Sequence, residues 1–395
     1  LQYFDFLSAS QKENVFFKQP GIVTKDSPKH ILEYALGATL YVPGNRSDIA
    51  DMIIKRKYPA LCSVVFCLED SIGDCEVLQA ENNLVSQADI IYQAQKLRHI
   101  DPDVLPLMFI RVREPEQMLE LGNKLGRALH LFTGFVFPKF STFNAEHYLD
   151  TLTKLSKESG ITLYGMPIFE TPDLLAMETR RKALEELKST LVFYQDVILN
   201  IRIGATDLCG LYGLRRKPQT TIYDIWVIAD FIKDMINYFG LQFVISGPVW
   251  EYFEDSSKTA GSFPQRTSGW EGLTDEGLNP YTDGLINETL LDLANGIHGK
   301  TVIHPTHIRA VQSLHVISIE EYLDALSIVE SADGTRGIVK SSFSNKMNEI
   351  KPHLSWAKKI LLKSEIYGVY HENRSYIDIL TADKPPLSNL GSYGS

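Results

Sequence analysis

Eight short apolar runs, at 40–43, 63–68, 107–110, 134–138, 164–169, 197–203, 243–245 and 301–303, each stop at a group that can hold a carboxylate, a cation or a phosphate. Those groups are, in chain order, Gly44-Asn45-Arg46, Glu69-Asp70, Arg111, Lys139, Glu170, Gly204-Ala205-Thr206-Asp207, Ser246-Gly247 and His304. Helix-like segments separate the runs, the rhythm of a parallel sheet covered by helices. One chain that lays down polar groups after eight successive strand-like segments predicts a (β/α)8 TIM barrel, whose reactive groups sit at the C-terminal ends of its strands.

The chain has 395 residues, enough for a barrel of roughly 250 residues with additions. We divide it into an N-terminal extension (1–37) that packs on the barrel, a barrel domain (38–310), a C-terminal helical segment (311–381) and a disordered tail (382–395). The tail is rich in Pro, Ser and Gly. Ser47-Asp48 and Thr171-Pro172-Asp173 read as helix caps, and 223–238 reads as a long amphipathic helix. In the C-terminal segment, helices are expected at 319–330, 345–363 and near 376–380. The Gly/Ser/Thr/Asp-rich stretch 252–287 comes after the seventh run and is expected to lie over the barrel mouth.

A formal charge of −10 argues against nucleic acid as a partner. No apolar stretch reaches 18 residues, so no membrane span is expected. Cys62, Cys67, Cys75 and Cys209 match neither a disulfide framework nor a zinc pattern, and a reducing cytoplasm is the expected setting.

Glu170 and Asp207 come after the fifth and sixth runs, which neighbour each other in a barrel at roughly 4.8 Å. Two carboxylates so placed can share one hard cation, and Mg2+ or Mn2+ held by one or two carboxylates polarises a substrate carbonyl. Arg111 comes after four apolar residues and should point to the mouth, where its planar fork suits a carboxylate or enolate oxygen. An ion pair with Glu69 or Asp70 is the competing expectation. Arg46 comes after a turn whose amides make an anion seat. Lys139 raises the idea of a Schiff base, but two nearby acids favour an electrostatic role. His304 is placed to donate to substrate or to hold the rim. Arg215-Arg216-Lys217 is either a phosphate contact or a solvated surface.

The segments LYVPGNR, VVFCLEDSIGD, FIRVRE, GFVFPKF, MPIFETPDLL, IRIGATDLCGLYGLRR, GKTVIHPTHI and NKMNEIKPHLSWAKKIL, in this order from about 38 to 361, resemble the citrate lyase β-subunit/HpcH–HpaI aldolase superfamily. More narrowly, the chain is similar to TIM-barrel C–C bond lyases associated with tellurite-resistance gene clusters. The resemblance implies Glu170 and Asp207 as metal ligands and Arg111 as the substrate- and enolate-binding arginine. It further implies Arg46 as an anion contact, the Gly204-Ala205-Thr206 backbone as receiver of a substrate carboxylate, and Glu69 and Asp70 as the acidic pair of strand two. It also implies a coenzyme A thioester among the candidate substrates, and a homo-oligomer, trimeric or hexameric. The chain departs from the pattern at its long extension and at Ser246-Gly247-Pro248-Val249-Trp250 with the loop beyond, where Trp250 is bulky for a thioester site.

The expected activity is therefore metal-dependent cleavage or formation of a C–C bond beside a carboxylate or thioester, on a small carboxylate substrate. The base stays open among Asp70, His304, a metal-bound water and a group of another subunit. The alternative is a barrel that binds a ligand or partner without turnover.

Overall fold

The structure, a computed structural model, describes residues 1–253, 280–334 and 337–382. The central part of the 252–287 stretch and nearly all of the 382–395 tail lie outside the described residues. Eight parallel strands form the barrel: β1 (Ala38–Pro43), β2 (Ser63–Cys67), β3 (Leu107–Arg111), β4 (Gly134–Phe137), β5 (Tyr164–Phe169), β6 (Ile201–Ile203), β7 (Ile245–Ser246) and β8 (Lys300–Val302). They pair in the order β7-β6-β5-β4-β3-β2-β1-β8. A bridge between Gly247 and Lys300 joins the two ends and completes the ring. The TIM barrel expected from the eight runs is the fold observed.

These strands form where they do because both faces are covered. Every residue of β2, β4 and β5 is buried, which is why such strands read as continuous apolar runs and do not alternate. Helices succeed the strands, among them Val77–Lys96 after β2, Ala145–Ser159 after β4 and Trp226–Phe239 after β6. The last of these begins three residues later than periodicity suggests, because Ile222–Asp224 forms a separate 3₁₀ turn closed by a Thr221–Asp224 capping box. Asp48 occupies an N-cap position but makes no side-chain cap bond, since Arg46 and Lys57 take its carboxylate. Thr171 likewise caps without a side-chain bond, ahead of Pro172.

The chain divides into two compact units, 23–311 with Leu1, and 2–22 with 312 onward. In the second unit, helix Ala9–Val15 starts with a Ser8–Gln11 capping box and runs into strand Phe16–Lys18. That strand pairs antiparallel with Val369–Tyr370, so the early residues of the extension are tied to the C-terminal segment. Helices Ile319–Glu330 and Ile350–Tyr367 pack through Ala325, Ile328, Ala357 and Ile360. The helix expected at 345–363 starts later, because Met347–Glu349 pairs with Ile338–Lys340 as a hairpin. Among the described residues no helix is long and apolar enough to cross a membrane.

Candidate active site

Glu170 directly succeeds β5 and Asp207 lies in the first turn of helix Ala205–Leu211 after β6. The side chain of Glu170 runs over Gly204, where a Cβ would fall 2.0 Å from its Oε2. Only a residue without a side chain allows that approach. Both acids converge on the ammonium of Lys139, whose Nζ is 2.5 Å from Asp207 Oδ1 and 3.6 Å from Glu170 Oε1. The Lys139 amide also donates to Glu170 Oε1 at 2.8 Å. Lys139 takes a left-handed backbone (φ 49°), an uncommon conformation for a residue with a Cβ that turns its amide and side chain toward one neighbour.

The acidic pair after β2 meets the same ammonium from the other side, with Glu69 Oε1 at 3.5 Å and Asp70 Oδ1 at 3.8 Å. Arg111, at the end of β3, lies 3.2 Å from Glu69 and 3.3 Å from Asp70. It donates through Nε and Nη2 to Cys67 Sγ at 3.2 and 3.0 Å and sits over the ring of Tyr41 at 5.3 Å. The ion pair expected of Arg111 with Glu69 and Asp70 thus forms.

Burial and neighbours set the protonation of this cluster. Burial pushes Glu170 up to about 7, against the pull of Lys139. Burial also raises Glu69, opposed by Arg111. At Asp70 burial acts upward too, but its bond from Glu69 and the charges of Arg111 and Lys139 outweigh it and hold it low. Lys139 and Arg111 lose hydration by burial, yet Glu170 and Asp207 for the first, and Cys67, Tyr41 and Glu69 for the second, keep both above their ordinary values.

A buried carboxylate that holds its proton to near-neutral pH beside a second acid is a place where a cation would be stabilised. Among the described residues no three His, Cys, Asp or Glu side chains gather as a metal ligand set. Two carboxylates, Glu170 and Asp207, suit Mg2+ or Mn2+, which leave their other positions to water and substrate. They do not suit a three-ligand zinc site.

A family model for C–C bond lyases of the TIM-barrel fold matches residues 30–369. The chain belongs to this C–C bond lyase family. Its barrel is similar to CitE from Mycobacterium tuberculosis, in complex with magnesium, acetoacetate and coenzyme A: 18% identity over 84% of this chain and 99% of that one, TM-score 0.50. It is similar also to a citrate lyase from Burkholderia xenovorans LB400, at 12% identity over 84% of this chain and 92% of that one, TM-score 0.56. These likenesses concern the fold. No curated protein matches the chain.

The remaining expected site residues of this C–C bond lyase family member have other surroundings. Gly204 and Ala205 open the helix that carries Asp207, and Thr206 Oγ1 donates to Glu251 Oε1 at 3.3 Å. A cavity of about 260 Å³ extends from Thr206 past Cys209 to Arg215 and Glu251. Arg46 is held in a two-bond fork by Asp48, at 2.8 and 2.7 Å, and its ion pairing is with that acid and not with the cluster. His304 stacks on Phe253 (centroids 4.3 Å apart) and lies 2.7 Å from Thr306 Oγ1, with burial lowering its basicity. Two expectations change. Of the run Arg215-Arg216-Lys217, Arg215 and Lys217 are exposed as a solvated surface requires, but Arg216 is 4% exposed, paired with Glu288 and bonded to the Val249 carbonyl, so it is neither solvated nor free for a phosphate. Trp250 is 1% exposed beneath Arg216, its ring filling the space that Gly284 leaves. Its bulk is therefore spent inside the fold.

Sequence reading passed over three groups here: Tyr41, Cys67 and Arg202. Tyr41 and Cys67 look like ordinary strand residues. Arg202 carries a signal, a charge within an apolar run.

Proposed function

We propose that this chain is a divalent-metal-dependent carbon–carbon lyase acting on a small carboxylate or acyl thioester through an enolate. The observation that carries the reading is the convergence of Glu170 and Asp207, from neighbouring strand ends, on one cationic point. Mg2+ or Mn2+ held there by these two acids would supply Lewis-acid polarisation of a substrate carbonyl.

The chain's own groups do the rest. Arg111, kept charged and half fixed by Cys67, presents its fork to the oxygen that gains negative charge as the C–C bond breaks. Glu69 and Asp70 have environments that push their affinities for a proton apart, the arrangement that divides acid from base work. Asp70 accepts the hydroxyl proton. Lys139 keeps the four carboxylates from repelling one another and orients Glu170 through its amide. The Gly204-Ala205-Thr206 backbone receives a substrate carboxylate, and the cavity beyond Thr206 takes the remainder of a longer substrate. The magnesium, acetoacetate and coenzyme A of the M. tuberculosis relative support testing these ligand classes first.

The test is Mg2+ titration by calorimetry on the wild type and Glu170→Gln, then release of pyruvate, acetate or free thiol from hydroxy acids and their thioesters. Expected are at least tenfold weaker Mg2+ binding in the variant and turnover that Arg111→Ala abolishes. A second reading, a barrel that binds without turnover, draws on the Lys139 ammonium already lying between the acids. It predicts no Mg2+ binding and no turnover from any substrate offered.

A further inference from the structure

A second cavity, of about 560 Å³, is lined by Lys25, Tyr92, Gln95, Lys96, Arg127 and His130. It lies at the end of the barrel opposite Glu170 and Asp207. Helix Val77–Lys96 succeeds β2 and runs back along the barrel, so its last turn reaches the level at which the strands begin. The 3₁₀ turn Gly126–Leu131 stands just ahead of β4, at that same end. Lys25 comes from a short turn before β1, in which the Ser27 amide donates to the Thr24 carbonyl at 3.0 Å.

Local geometry gathers these side chains. Tyr92 and Lys96, four residues apart, share one helix face with Gln95 beside them. In a 3₁₀ turn residues three apart eclipse, so Arg127 and His130 lie on one side. Gly126, at φ 49°, ends helix Pro115–Leu125 and swings the chain into that turn. The turn packs against helix Val77–Lys96.

What the cavity lacks is acceptors. Lys25 pairs with Asp26 at 2.6 Å. Among the described residues, no side-chain hydrogen bond or ion pair engages Lys96, Arg127 or His130. The chain has more acids than bases, 49 against 39, and still three separate elements bring their cations here. Lys96 alone is explained by the helix C-terminus on which it stands, whose dipole favours a cation. Arg127 and His130 have no such helix end to serve. Like charges so gathered repel one another, and a multiply charged anion relieves that repulsion.

We infer that this cavity binds a phosphorylated small molecule, its phosphate held by Arg127 and Lys96 with help from Lys25 and His130, and its organic part lying against Tyr92 and Gln95. A guanidinium fork and an ammonium together suit a phosphate, which accepts from several donors at once, whereas one carboxylate would leave most of them unused. The cavity exceeds what a bare phosphate needs and falls in the size range of small-molecule sites. The inference is independent of the lyase reading, since the cavity shares no residue with the barrel mouth.

The experiment measures binding of adenosine monophosphate, inorganic pyrophosphate, citrate and acetate by calorimetry, without Mg2+ and at about 0.15 M salt, where long-range attraction is screened. It uses the wild type, Arg127→Ala, Lys96→Ala, Lys182→Ala and Arg111→Ala. Arg127 and Lys96 are exposed, so folding is not at stake in their variants. Expected is one phosphate compound bound per chain, at least tenfold tighter than citrate or acetate, and weakened tenfold or more by Arg127→Ala and by Lys96→Ala. Lys182, an exposed lysine 3.7 Å from Glu186, reports on general electrostatic attraction, and Arg111 on binding at the mouth; neither substitution should change the affinity. The inference is overturned if neither phosphate compound binds, or if citrate binds as tightly. It is overturned equally if Lys182→Ala weakens binding as much as Arg127→Ala does, or if Arg111→Ala abolishes it.

Discussion

Gly204→Ala is the smallest change that should disable the site. Gly204 has φ −87°, open to any residue, so backbone strain plays no part and only the added methyl matters. That methyl would lie 2.0 Å from Glu170 Oε2 and 2.4 Å from Glu170 Cβ, where carbon–carbon contacts normally need about 3.5–4.0 Å. The carboxylate alone could swing aside, but the Cβ cannot move unless the end of β5 moves with it. The backbone there is pinned, because the Gly204 amide donates to the Phe169 carbonyl at 3.1 Å. Overpacking of this kind costs about 1–3 kcal/mol, and losing the charged bond from the Lys139 amide to Glu170 adds roughly 1–2 kcal/mol. The variant should lose about 2–4 kcal/mol in urea unfolding and at least tenfold in Mg2+ affinity by calorimetry. An alanine variant within about 0.5 kcal/mol of wild type that binds Mg2+ normally would refute the claim that this glycine makes room for Glu170.

Other perturbations test other parts of the molecule. Lys300 is fully buried between Glu288 (2.9 Å) and Asp292 (2.7 Å), so Lys300→Met leaves the buried Asp292 without a cation and Glu288 with Arg216 alone. A loss of about 3–5 kcal/mol is expected in chemical denaturation, and a loss under about 1 kcal/mol would contradict it. Burial, with a smaller push from Lys363, lowers His315 to about 3, below the usual 6.5. Its neutral form therefore contributes stability that is whole above pH 6.5 and is lost as pH falls toward 3; His315→Gln should flatten that part of the stability–pH curve, and an unchanged slope counts against it. Lys139→Met removes the ammonium that opposes burial at Glu170, so that carboxyl, at about 7 in the wild type, should titrate higher by isotope-edited infrared spectroscopy. A titration that stays put would show that Lys139 is not its neighbour in solution.

How much of the molecule could be read from sequence depends on where the chain is uniform and where it is not. The eight strands were legible because a barrel strand is buried on both faces, and 63–67 and 164–169 are accordingly apolar or small throughout. The cluster of Glu69, Asp70, Arg111, Lys139, Glu170 and Asp207 was legible because each residue lies at, or within a few residues of, the end of such a run. Cross-barrel contacts were not. That Arg202 meets Tyr41 and Thr301 depends on side-chain reach over the barrel interior, which no local pattern encodes. The 338–340/347–349 hairpin was hidden because its two strands are only three residues long and mostly exposed, which leaves no alternation to read. Arg46 shows the opposite failure, a visible charge whose partner acid, Asp48, lies only two residues on.

The pairing of Phe16–Lys18 with Val369–Tyr370 has a consequence for biogenesis. A ribosome releases the first partner more than three hundred residues before the second. Until then Tyr3, Phe4 and Phe16, buried in the finished protein, have no native surface against which to hide. The nascent chain thus carries an uncovered aromatic segment through the whole of barrel synthesis, a natural handle for a chaperone. Removing either strand should leave the other without its partner.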